Sequence, residues 1–385
     1  MSAHQAIASA PERISADLLP IGAASDPASP LAAAWADLCA DLVEENPFFE
    51  PWALIPALAA YGHDKVRLAS VWSGDRLIGL MPVCAQRFYA RLPVAYWASW
   101  THPHCYFAAP LVRRGFEELF FAELFALLCE GDEARDFVRF LRLDRDSPLA
   151  QAAQRAALSE GRLHYEAGAL ERAVLNGGAS AEATIAVHIR KKKRKELKRL
   201  RNRLDEIGAV AVRELAASDD LDRWIDGFLD LEDASWKGVK GTSLKKSASD
   251  AGWFRETLHG ARLAGKLNFM RFDLDGRPLA MLVTFLSKGA GYSLKICYDL
   301  DYARFSPGVM IELEAMTAFL NDETFRFADS CAAPDHSMIN GLWRARRIVT
   351  GVNVSTRHIK GRAVLGLCRM LEGARARLPV KVSAS

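Results

Sequence analysis

Hydrophobic and polar positions follow the same order in the two halves of the chain, which indicates an internal repeat. In the first half, the apolar runs Val66–Trp72 and Leu77–Val83 flank the sequence Ser-Gly-Asp-Arg. In the second half, Leu267–Leu274 and Pro278–Leu286 flank Asp-Gly-Arg. Short apolar runs separated by such turn residues predict β-hairpins. Each half is therefore expected to contain a pair of antiparallel strands.

In both halves the hairpin is followed by a strand, a loop, an apolar helix and a further strand. Alternating or continuous apolar runs predict the strands, and hydrophobic residues three or four positions apart predict the helices. These segments are Cys105–Val112, Gly115–Cys129 and Phe137–Leu143 in the first half, and Tyr292–Tyr298, Gly308–Leu320 and Phe325–Asp329 in the second. We therefore predict an α/β (α+β) fold made of two similar modules, each a mixed central sheet flanked by helices.

Changes in composition divide the chain further. Residues 1–28 are rich in Ala, Ser and Pro and are predicted to form a flexible leader. We assign residues 29–175 to an N-terminal module, residues 181–355 to a C-terminal module and residues 356–385 to a basic amphipathic segment. The two modules meet just before a strongly basic stretch.

In this basic stretch, ten of the residues from Arg190 to Arg203 are Lys or Arg and one is an acid, Glu196. Apolar residues recur three or four positions apart, at Leu197, Leu200, Leu204 and Ile207. The pattern predicts an amphipathic helix over residues 188–207 with a cationic face. The helix either docks by its leucines and leaves its cations in water, or binds a polyanion such as nucleic acid, anionic lipid or a nucleotide phosphate.

Overall charge narrows these alternatives. The net charge is only +3, and no aromatic residues are interleaved with the cations of the basic stretch, which argues against a nucleic-acid binder. A second basic segment, residues 358–381, also carries apolar residues and is expected either to lie on a membrane surface or to pack on the protein body. We predict no DNA partner and leave contact with tRNA and with an anionic membrane open.

Cysteine usage and hydropathy favour the cytoplasm. The seven cysteines are scattered, odd in number and form no C-x-x-C motif, which indicates a reducing compartment. The N-terminus lacks a basic start followed by a long apolar core, and no apolar run reaches about 18 residues. We therefore expect a cytoplasmic protein, and peripheral contact with the inner face of the membrane stays open.

A candidate anion site lies between the strand at Tyr292–Tyr298 and the helix that follows it. The connecting loop ends with RFSPG at Arg304–Gly308. The first amides of a helix have no internal partner and carry a partial positive charge, so a glycine-containing loop before a helix can bind an anion. Pro307 suits the first turn, because its missing N–H would be unpaired there anyway. An ordinary capped helix is the alternative.

Chemically active side chains cluster after the next predicted strand, from Asp329 to His336. Folds of this class place ligands at the C-terminal ends of strands. Either Asp329 or His336 is a candidate to accept a proton from an amine. Cys331 is a candidate nucleophile, or simply a small buried residue, because nothing in the sequence indicates a stabilised thiolate. Trp343–Arg347 is predicted to form a short helix whose arginines hold a phosphate or face solvent.

Other motifs of catalysis are missing from the sequence. It contains no G-x-G-x-x-G, Walker loop, G-x-S-x-G or H-E-x-x-H, so dinucleotide redox chemistry, nucleotide hydrolysis and serine hydrolysis have no support. The run from His102 to Cys105 (HPHC) invites a metal interpretation, but no second ligand cluster stands at a known spacing. We predict no metal site.

Several short motifs resemble one bacterial family. They are NPFFEPW from Asn46, ASWKG from Ala234, LDGRPLA from Leu274, YDLDYARFSPG from Tyr298 and DSCAAPDHSMINGLW from Asp329, together with the basic helix. With these motifs in this order, roughly residues 30–350 resemble the cellulose-biosynthesis-associated acyltransferases of the GNAT superfamily. These enzymes are related to the Fem-type aminoacyl transferases. The resemblance implies tandem GNAT folds.

The resemblance also implies a mode of acyl-CoA binding. In GNAT folds the pantetheine lies in a splay between two parallel strands, here Tyr292–Tyr298 and Phe325–Asp329, and the pyrophosphate rests on the loop and helix after the first strand. The implied donor-binding residues are Leu294, Lys295, Ile296, Arg304, Ser306, Gly308, Val309 and Met310. The usual signature is Q/R-x-x-G-x-G/A, and this chain keeps the arginine and one glycine but lacks the second glycine. Acyl-CoA is expected as a co-substrate, with no permanently bound cofactor.

Direct acyl transfer to an amine is the implied chemistry. A base, Asp329 or His336, assists loss of the amine proton, and backbone N–H groups of the first strand polarise the thioester carbonyl. Tyr298 or Tyr292 protonates the departing thiolate. The implied acceptor-binding residues are Trp236, Lys237 and Trp343.

The N-terminal module is expected to be catalytically silent and to shape the acceptor cleft, because Leu111–Phe116 matches the phosphate loop poorly. The preferred acceptor is a long-chain sphingoid amine, by similarity to bacterial ceramide synthases of GNAT type. A sugar amine in exopolysaccharide or cellulose assembly and Fem-like transfer from aminoacyl-tRNA are the alternatives. A non-enzymatic scaffold of a polysaccharide synthase is the alternative from another class.

Overall fold

A computed structural model describes residues 13–26 and 29–376 of the chain. Its strands are β1 (Ile14–Pro20), β2 (Val66–Ser73), β3 (Arg76–Gln86), β4 (Tyr96–Ser99), β5 (Leu111–Val112), β6 (Phe137–Asp144), β7 (His164–Asn176), β8 (Val210–Glu214), β9 (Leu267–Leu274), β10 (Arg277–Ser287), β11 (Ala290–Tyr298), β12 (Phe327–Asp329) and β13 (Ala345–Ser355). Its helices are α1 (Pro30–Ala40), α2 (Pro51–Tyr61), α3 (Glu117–Glu130), α4 (Pro148–Ser159), α5 (Ala181–His188), α6 (Lys191–Asp205), α7 (Leu221–Asp233), α8 (Trp236–Val239), α9 (Ala248–Leu263), α10 (Pro307–Leu320), α11 (Ser337–Asn340) and α12 (Ile359–Ala376).

The strands form one continuous mixed sheet. Their order is β1-β2-β3-β4-β6-β13-β7-β12-β11-β10-β9-β8, and β5 pairs with β3 outside this path. β4 runs parallel to β6 and β11 runs parallel to β12, whereas the other neighbouring strands are antiparallel. The predicted hairpins are present as β2–β3 and β9–β10. The prediction of a mixed α/β fold with a central sheet flanked by helices is confirmed.

The last strand of each half is exchanged with the other half. β7 comes from the first half and pairs with β12 of the second, whereas β13 comes from the second half and pairs with β6 of the first. β7 and β13 also pair with each other, from Ala345↔Val174 to Val354↔His164. The two predicted modules therefore share strands and do not form separate sheets.

Hydrophobic periodicity predicts neither exchanged strand. The expectation of a helix at Trp343–Arg347 is wrong, because α11 ends at Asn340 and β13 begins at Ala345. The β-branched residues from Ile348 onward favour a strand there. The predicted strand at Cys105–Val112 is reduced to the two residues of β5.

The expectation of a flexible leader is wrong for Ile14–Pro20, which form β1 at the edge of the sheet. The strand pairs with β2 from Ile14↔Ser73 to Pro20↔Arg67. Its apolar side chains, including Leu18, pack against the core. Residues 1–12, 27 and 28 of the expected leader lie outside the described residues.

The core occupies both faces of the sheet. Along β10, Met281 belongs to the cluster that includes α7 and α9, whereas Leu282 belongs to the cluster that includes α6 and α10. This alternation follows from the period of two in a β-strand. The first cluster also contains Trp35 of α1 and Leu54 of α2, so a single apolar cluster joins the two halves.

The predicted basic helix is present as α6. Leu197, Leu200 and Leu204 are buried against β9 and α10, while Ile207 lies past the end of the helix and is 51 % exposed. Most of the lysines of α6 are exposed. The leucine stripe therefore docks the helix and leaves its cationic face in water.

The second basic segment forms α12, which packs on β13. Leu365 and Cys368 are buried, whereas Ile359 and Met370 are exposed. Arg377 and Lys381, which belong to the predicted segment, lie outside the described residues. Within the described part of the chain, none of the helices combines the length and the apolar character that crossing a membrane requires.

The docking of α6 can be tested by comparing two truncations of its apolar residues. Leu204→Ala removes a side chain that is 1 % exposed, and we expect it to lower the free energy of unfolding by about 2–5 kcal/mol. Ile207→Ala is the matched control, with an expected change within about 0.5 kcal/mol. Urea unfolding followed by circular dichroism measures both. Equal effects would contradict docking through the leucine stripe.

Candidate active site

Two parallel strands separate at the centre of the second half. β11 and β12 pair only from Ala290↔Phe327 to Tyr292↔Asp329. β12 ends at Asp329, whereas β11 continues to Tyr298 with β10 on its other side. The backbone of residues 293–298 therefore faces a gap on the side where β12 has ended.

A β-bulge lies at the start of this gap. On β10, Thr284 pairs with Ser293 and the next residue, Val283, pairs with Lys295, so Leu294 is an extra residue on β11. A bulge leaves its extra residue outside the regular ladder and changes the direction of neighbouring backbone groups. This part of β11 consequently presents backbone groups that the sheet does not pair.

A cavity of about 450 Å³ fills the gap. Eight of the predicted site residues line it: Trp236, Lys237, Leu294, Lys295, Ile296, Tyr298, Cys331 and His336. Its wall also includes Tyr106 from the first half and Glu312 from α10. Because α8 and α10 lie on opposite faces of the sheet, residues from both faces line the cavity at the point where the strands separate.

The N-terminus of α10 lies beside this cavity. Ser306 adopts a left-handed conformation, with φ of 57°, and its carbonyl accepts hydrogen bonds from the N–H groups of Val309 and Met310. The N–H of Gly308 makes no hydrogen bond within the described residues. A side chain at Gly308 would meet the Tyr298 ring, since a Cβ there lies 3.2 Å from Cδ1. The predicted Arg304 is exposed and stacks over the Phe305 ring.

A second, basic cavity of about 580 Å³ adjoins the first. Both cavities are lined by Met338, and Val309 of α10 lines the second. Arg190, Lys193 and Arg344 contribute positive charge to the second cavity. Cations and a helix N-terminus thus stand together at one end of the first cavity.

An ion pair borders the opposite end of the first cavity, where α7 and α8 meet. Lys237 Nζ donates to Glu232 at 2.7 Å and to the Ile296 carbonyl at 3.3 Å. Burial, followed by repulsion from Lys237, lowers the pKa of Lys295 to about 8. Two amines thus line the α7–α8 side of the cavity, and one of them is paired with the Glu232 carboxylate.

Asp329 lies under the cavity and takes part in the packing of the strands. It is fully buried, and its Oδ2 accepts hydrogen bonds from Arg172 and Arg347, both at 3.2 Å. Its Oδ1 accepts the N–H of Cys331 at 2.8 Å. Asp329 is not among the residues that line the cavity. A carboxylate held in this way has no access to an amine, so its contacts argue for a structural role in place of the predicted proton-accepting role.

Cys331 is not suited to act as a nucleophile. Its side chain is buried, and burial, followed by the negative charge of Asp329, raises the pKa of its thiol well above the ordinary value. The reactive thiolate is therefore disfavoured. The alternative interpretation, a small buried residue beside the site, fits these contacts.

The remaining predicted side chains differ in whether they reach the cavity. His336 is exposed at the cavity, and its Nδ1 accepts the N–H of Ile339 at 3.4 Å as the N-cap of α11. Trp343 is fully buried in a separate apolar cluster with Met316 and lines neither cavity, which argues against its predicted contact with an acceptor. The hydroxyl of Tyr292 donates to the Glu45 carbonyl, so Tyr298 is the tyrosine of the two that reaches the cavity.

The most informative residue that the sequence analysis missed is Glu312. Its side chain is 3 % exposed on α10, and its Oε2 has no hydrogen-bond partner within the described residues. The signal was an acid among the apolar residues of the segment PGVMIELEAM. A helix that packs on a sheet does not ordinarily carry an unpaired acid on its buried face.

The corresponding positions of the first half are occupied differently. β4 and β6 are parallel there, and Ser99 Oγ at the end of β4 accepts the N–H of Leu141 at 3.1 Å, so a hydrogen bond crosses the place where the strands separate. A smaller cavity of about 350 Å³ lies beside Ser99 and Leu141. Arg113 is buried in ion pairs with Asp37 and Asp41. The first turn of α3 carries two acids, Glu117 and Glu118, which disfavour an anion.

Comparison with known proteins agrees with this geometry. Residues 191–335 match the sequence model of the acetyltransferase (GNAT) domain family. No curated protein sequence matches the chain significantly. The matched region includes β11, α10 and β12, whereas Tyr106, His336, Met338 and Ile339 of the cavity wall lie outside it.

Solved structures resemble this chain at low sequence identity. A conserved protein of unknown function from Bacteroides thetaiotaomicron is 12 % identical, with 84 % of this chain and 97 % of that chain covered and a TM-score of 0.50. FemX is 10 % identical, with coverages of 80 % and 90 % and a TM-score of 0.50. A tandem GNAT protein from the clavulanic acid biosynthesis pathway is 14 % identical, with coverages of 88 % and 98 % and a TM-score of 0.43. The similarity to the Bacteroides thetaiotaomicron protein and to FemX concerns the fold alone.

The structural role of Asp329 can be tested by removing its carboxylate. Asp329→Ala leaves Arg172 and Arg347 without this buried partner, so we expect it to lower the free energy of unfolding by about 3–5 kcal/mol. Asp335→Ala, at an exposed acid of the same loop, is the control and is expected to change it by less than about 0.5 kcal/mol. Chemical denaturation measures both variants. An Asp329→Ala protein with unchanged stability would contradict the structural role.

Proposed function

We propose that this protein is an N-acyltransferase that moves an acyl group from acyl-CoA to an amine. The observation that carries the proposal is the cavity between β11 and β12, which opens beside a bulged strand within the region that matches the GNAT domain family. A cavity with lining residues from both faces of the sheet has room for a donor and an acceptor that approach one reaction centre from different sides. Direct acyl transfer requires the two substrates to be held together in the right orientation.

The donor is proposed to enter from the α10 side. Its pantetheine would lie along β11 at Leu294–Ile296, where the bulge frees backbone groups for hydrogen bonds. Its pyrophosphate would contact Arg304 and the helix N-terminus at residues 306–310. Pro307 has no N–H and so removes one possible hydrogen-bond donor there. Lys193 and Arg344, which line the second cavity, are proposed to supply the positive charge that compensates for it.

The acceptor is proposed to enter from the α7–α8 side, past Trp236 and Lys237. Its neutral nitrogen attacks the thioester carbonyl carbon, whose developing negative charge is stabilised by N–H groups at the bulge. The nitrogen–carbon bond forms, the carbon–sulfur bond breaks, and the sulfur leaves with the bonding electrons. Tyr298 is placed to give the thiolate a proton, and His336 connects the cavity to water and carries a proton away.

The first half is proposed to be silent as a catalyst and to form part of the acceptor cleft. Its own splay is bridged by Ser99, and its phosphate position is occupied by the ion pairs of Arg113. Tyr106 nevertheless extends from this half into the wall of the cavity. Arg172 from the same half donates to the Tyr106 carbonyl at 2.9 Å, which fixes that wall.

A long-chain amine, such as a sphingoid base, is the proposed acceptor. The cavity wall is mainly apolar, with Leu282, Leu294, Ile296 and Ile339 among its residues. Trp236, at the entrance, is 45 % exposed, which suits contact with an amphiphilic substrate. The exposed cations of α6 are proposed to favour peripheral contact with an anionic membrane on the cytoplasmic side, where the seven free cysteines also stay reduced.

Isothermal titration distinguishes the classes of function. We expect binding of palmitoyl-CoA and, less tightly, of acetyl-CoA, because the cavity wall is apolar. Binding of tRNA alone would replace the proposal with Fem-like transfer from aminoacyl-tRNA. Binding of none of these ligands would favour the scaffold alternative. Mass spectrometry of palmitoyl-CoA mixtures with sphinganine or glucosamine then identifies the acceptor, and an acylated sugar alone would favour exopolysaccharide assembly.

The donor site can be tested at the first turn of α10. Gly308→Val places methyl groups against the Tyr298 ring, so we expect the Kd for palmitoyl-CoA to rise at least about tenfold, or about 1.4 kcal/mol. Gly252→Val is the matched control, because that helical glycine has open space around it. Titration calorimetry measures both Kd values. Unchanged affinity in Gly308→Val would contradict a donor site at this helix N-terminus.

The role of His336 can be tested by its removal. His336→Ala should lower turnover about 100-fold, since a positioned proton carrier contributes at least about this factor. His358→Ala, at an exposed histidine that does not line the cavity, is the control and should keep wild-type turnover. Steady-state release of free thiol measures both. Equal turnover in the two variants would show that His336 carries no proton in the reaction.

A further inference from the structure

Glu312, in the wall of the cavity, is a buried acid with no structural partner among the described residues that would explain its burial. It projects from the middle of α10 and lines the cavity together with Leu282 and Ile296. Its side chain is 3 % exposed, and Oε2 makes no hydrogen bond within the described residues. Burying a carboxyl group without a partner is costly, so such a group calls for an explanation, and a bound substrate can supply the missing partner.

The surroundings of Glu312 do not stabilise its ionised form. The titratable residues that line the cavity with it are Tyr106, Lys237, Lys295, Cys297, Tyr298, Cys331 and His336. β9 and β10 meet α10 through apolar residues such as Phe272 and Leu282, and α5 meets it beside Ile185. Arg201 of α6 pairs with Glu314, the next acid along α10. Burial alone raises the pKa of Glu312 to about 8.

The other acids near the cavity already have partners. Glu232 binds Lys237 and accepts the N–H of Leu244 at 2.8 Å. Asp329 is held by two arginines and does not line the cavity. Two rivals remain as a base. His336 lines the same cavity, and the lowered pKa of Lys295 leaves part of this amine neutral near pH 8.

We propose that Glu312 is the catalytic base that takes the proton of the acceptor amine. This inference rests on the proposed acyl transfer and adds a residue to it. The acceptor arrives as an ammonium ion, and its N–H proton passes to the carboxylate of Glu312. The neutral nitrogen then forms the amide bond as the carbon–sulfur bond breaks. The second nitrogen proton and the proton on Glu312 are divided between the thiolate and water.

The position of Glu312 suits this role in two ways. Glu312 projects from α10, on the proposed donor side, but lines the same cavity as Leu294, the bulge residue at which the thioester is proposed to lie and which the acceptor nitrogen must reach. An ammonium ion that enters the cavity supplies the positive partner that the carboxylate lacks. A base transfers protons most efficiently when its pKa lies near the working pH.

Replacement of Glu312 by glutamine tests the proposal, with palmitoyl-CoA and the amine acceptor identified by mass spectrometry as substrates. Glu312→Gln keeps the size of the side chain and removes its titration, so we expect kcat to fall at least about 100-fold. We also expect the acidic limb of the pH profile of kcat/KM to disappear, and the Kd for palmitoyl-CoA to stay within about twofold. Glu314→Gln, on the same helix but paired with Arg201 at the surface, is the matched control and should keep both kcat and the pH profile.

The outcomes separate this proposal from the proposed function. If wild-type protein binds no acyl-CoA, the proposed function fails whatever Glu312 does. If the wild type transfers acyl groups and Glu312→Gln keeps its kcat and its acidic limb, only the assignment of Glu312 fails. Loss of the acidic limb in Lys295→Met but not in Glu312→Gln would overturn the assignment in favour of the lysine.

Thermal unfolding tests the premise that the carboxyl group is buried and unpaired. Between pH 4.5, the ordinary pKa of this group, and about 8, its raised pKa in the folded protein, the folded state holds a proton that the unfolded state has lost. Stability therefore falls as the pH rises through this window. The drop in Tm from pH 5 to pH 8 should be larger in the wild type than in Glu312→Gln. An equal drop in both proteins would overturn the premise.

Discussion

A buried carboxylate holds the centre of the sheet together. Asp329, at the end of β12, accepts hydrogen bonds from Arg172 of β7 and from Arg347 of β13. These two strands are the ones that the halves exchange, and Arg347 continues to Asp144 of β6 and to Glu44 before α2. A buried charge is tolerated only where its partners are well placed, so this network favours one register for four neighbouring strands. The sheet can be continuous because its charged centre is satisfied by residues from both halves.

The same carboxylate helps to open the cavity. Its second oxygen accepts the N–H of Cys331, and Cys331 takes a left-handed conformation with φ of 53°. The chain consequently turns away from β11 directly after Asp329, although β11 continues to Tyr298. The gap that results is lined by the bulge at Leu294. Asp329 is a predicted proton carrier, but its contacts fit better with a residue that ends a strand and helps to form the cavity.

Local features of the fold could be predicted from the sequence because they depend on neighbouring residues. The hairpins, α10 and the leucine stripe of α6 follow from apolar spacing and turn residues. The strand exchange could not be predicted in this way, because the pairing of β7 with β12 is decided by residues far apart in the chain. The candidate site shows the same contrast. Motifs near Tyr298 and His336 indicate the cavity from the sequence, whereas the burial of Trp343 and the lack of a partner for Glu312 depend on how the elements pack.

The two halves share a topology but differ in what occupies the equivalent positions. In the first half, the Ser99 side chain forms a hydrogen bond across the splay, Arg113 is neutralised by acids, and Glu117 begins the helix. In the second half the splay is open and the first turn of α10 carries no acid. The first half also supplies β7, with Arg172, to the edge of the splay in the second half. Loss of β7 would remove the neighbour of β12 on one side, so the shape of the cavity in the second half depends on a strand from the first.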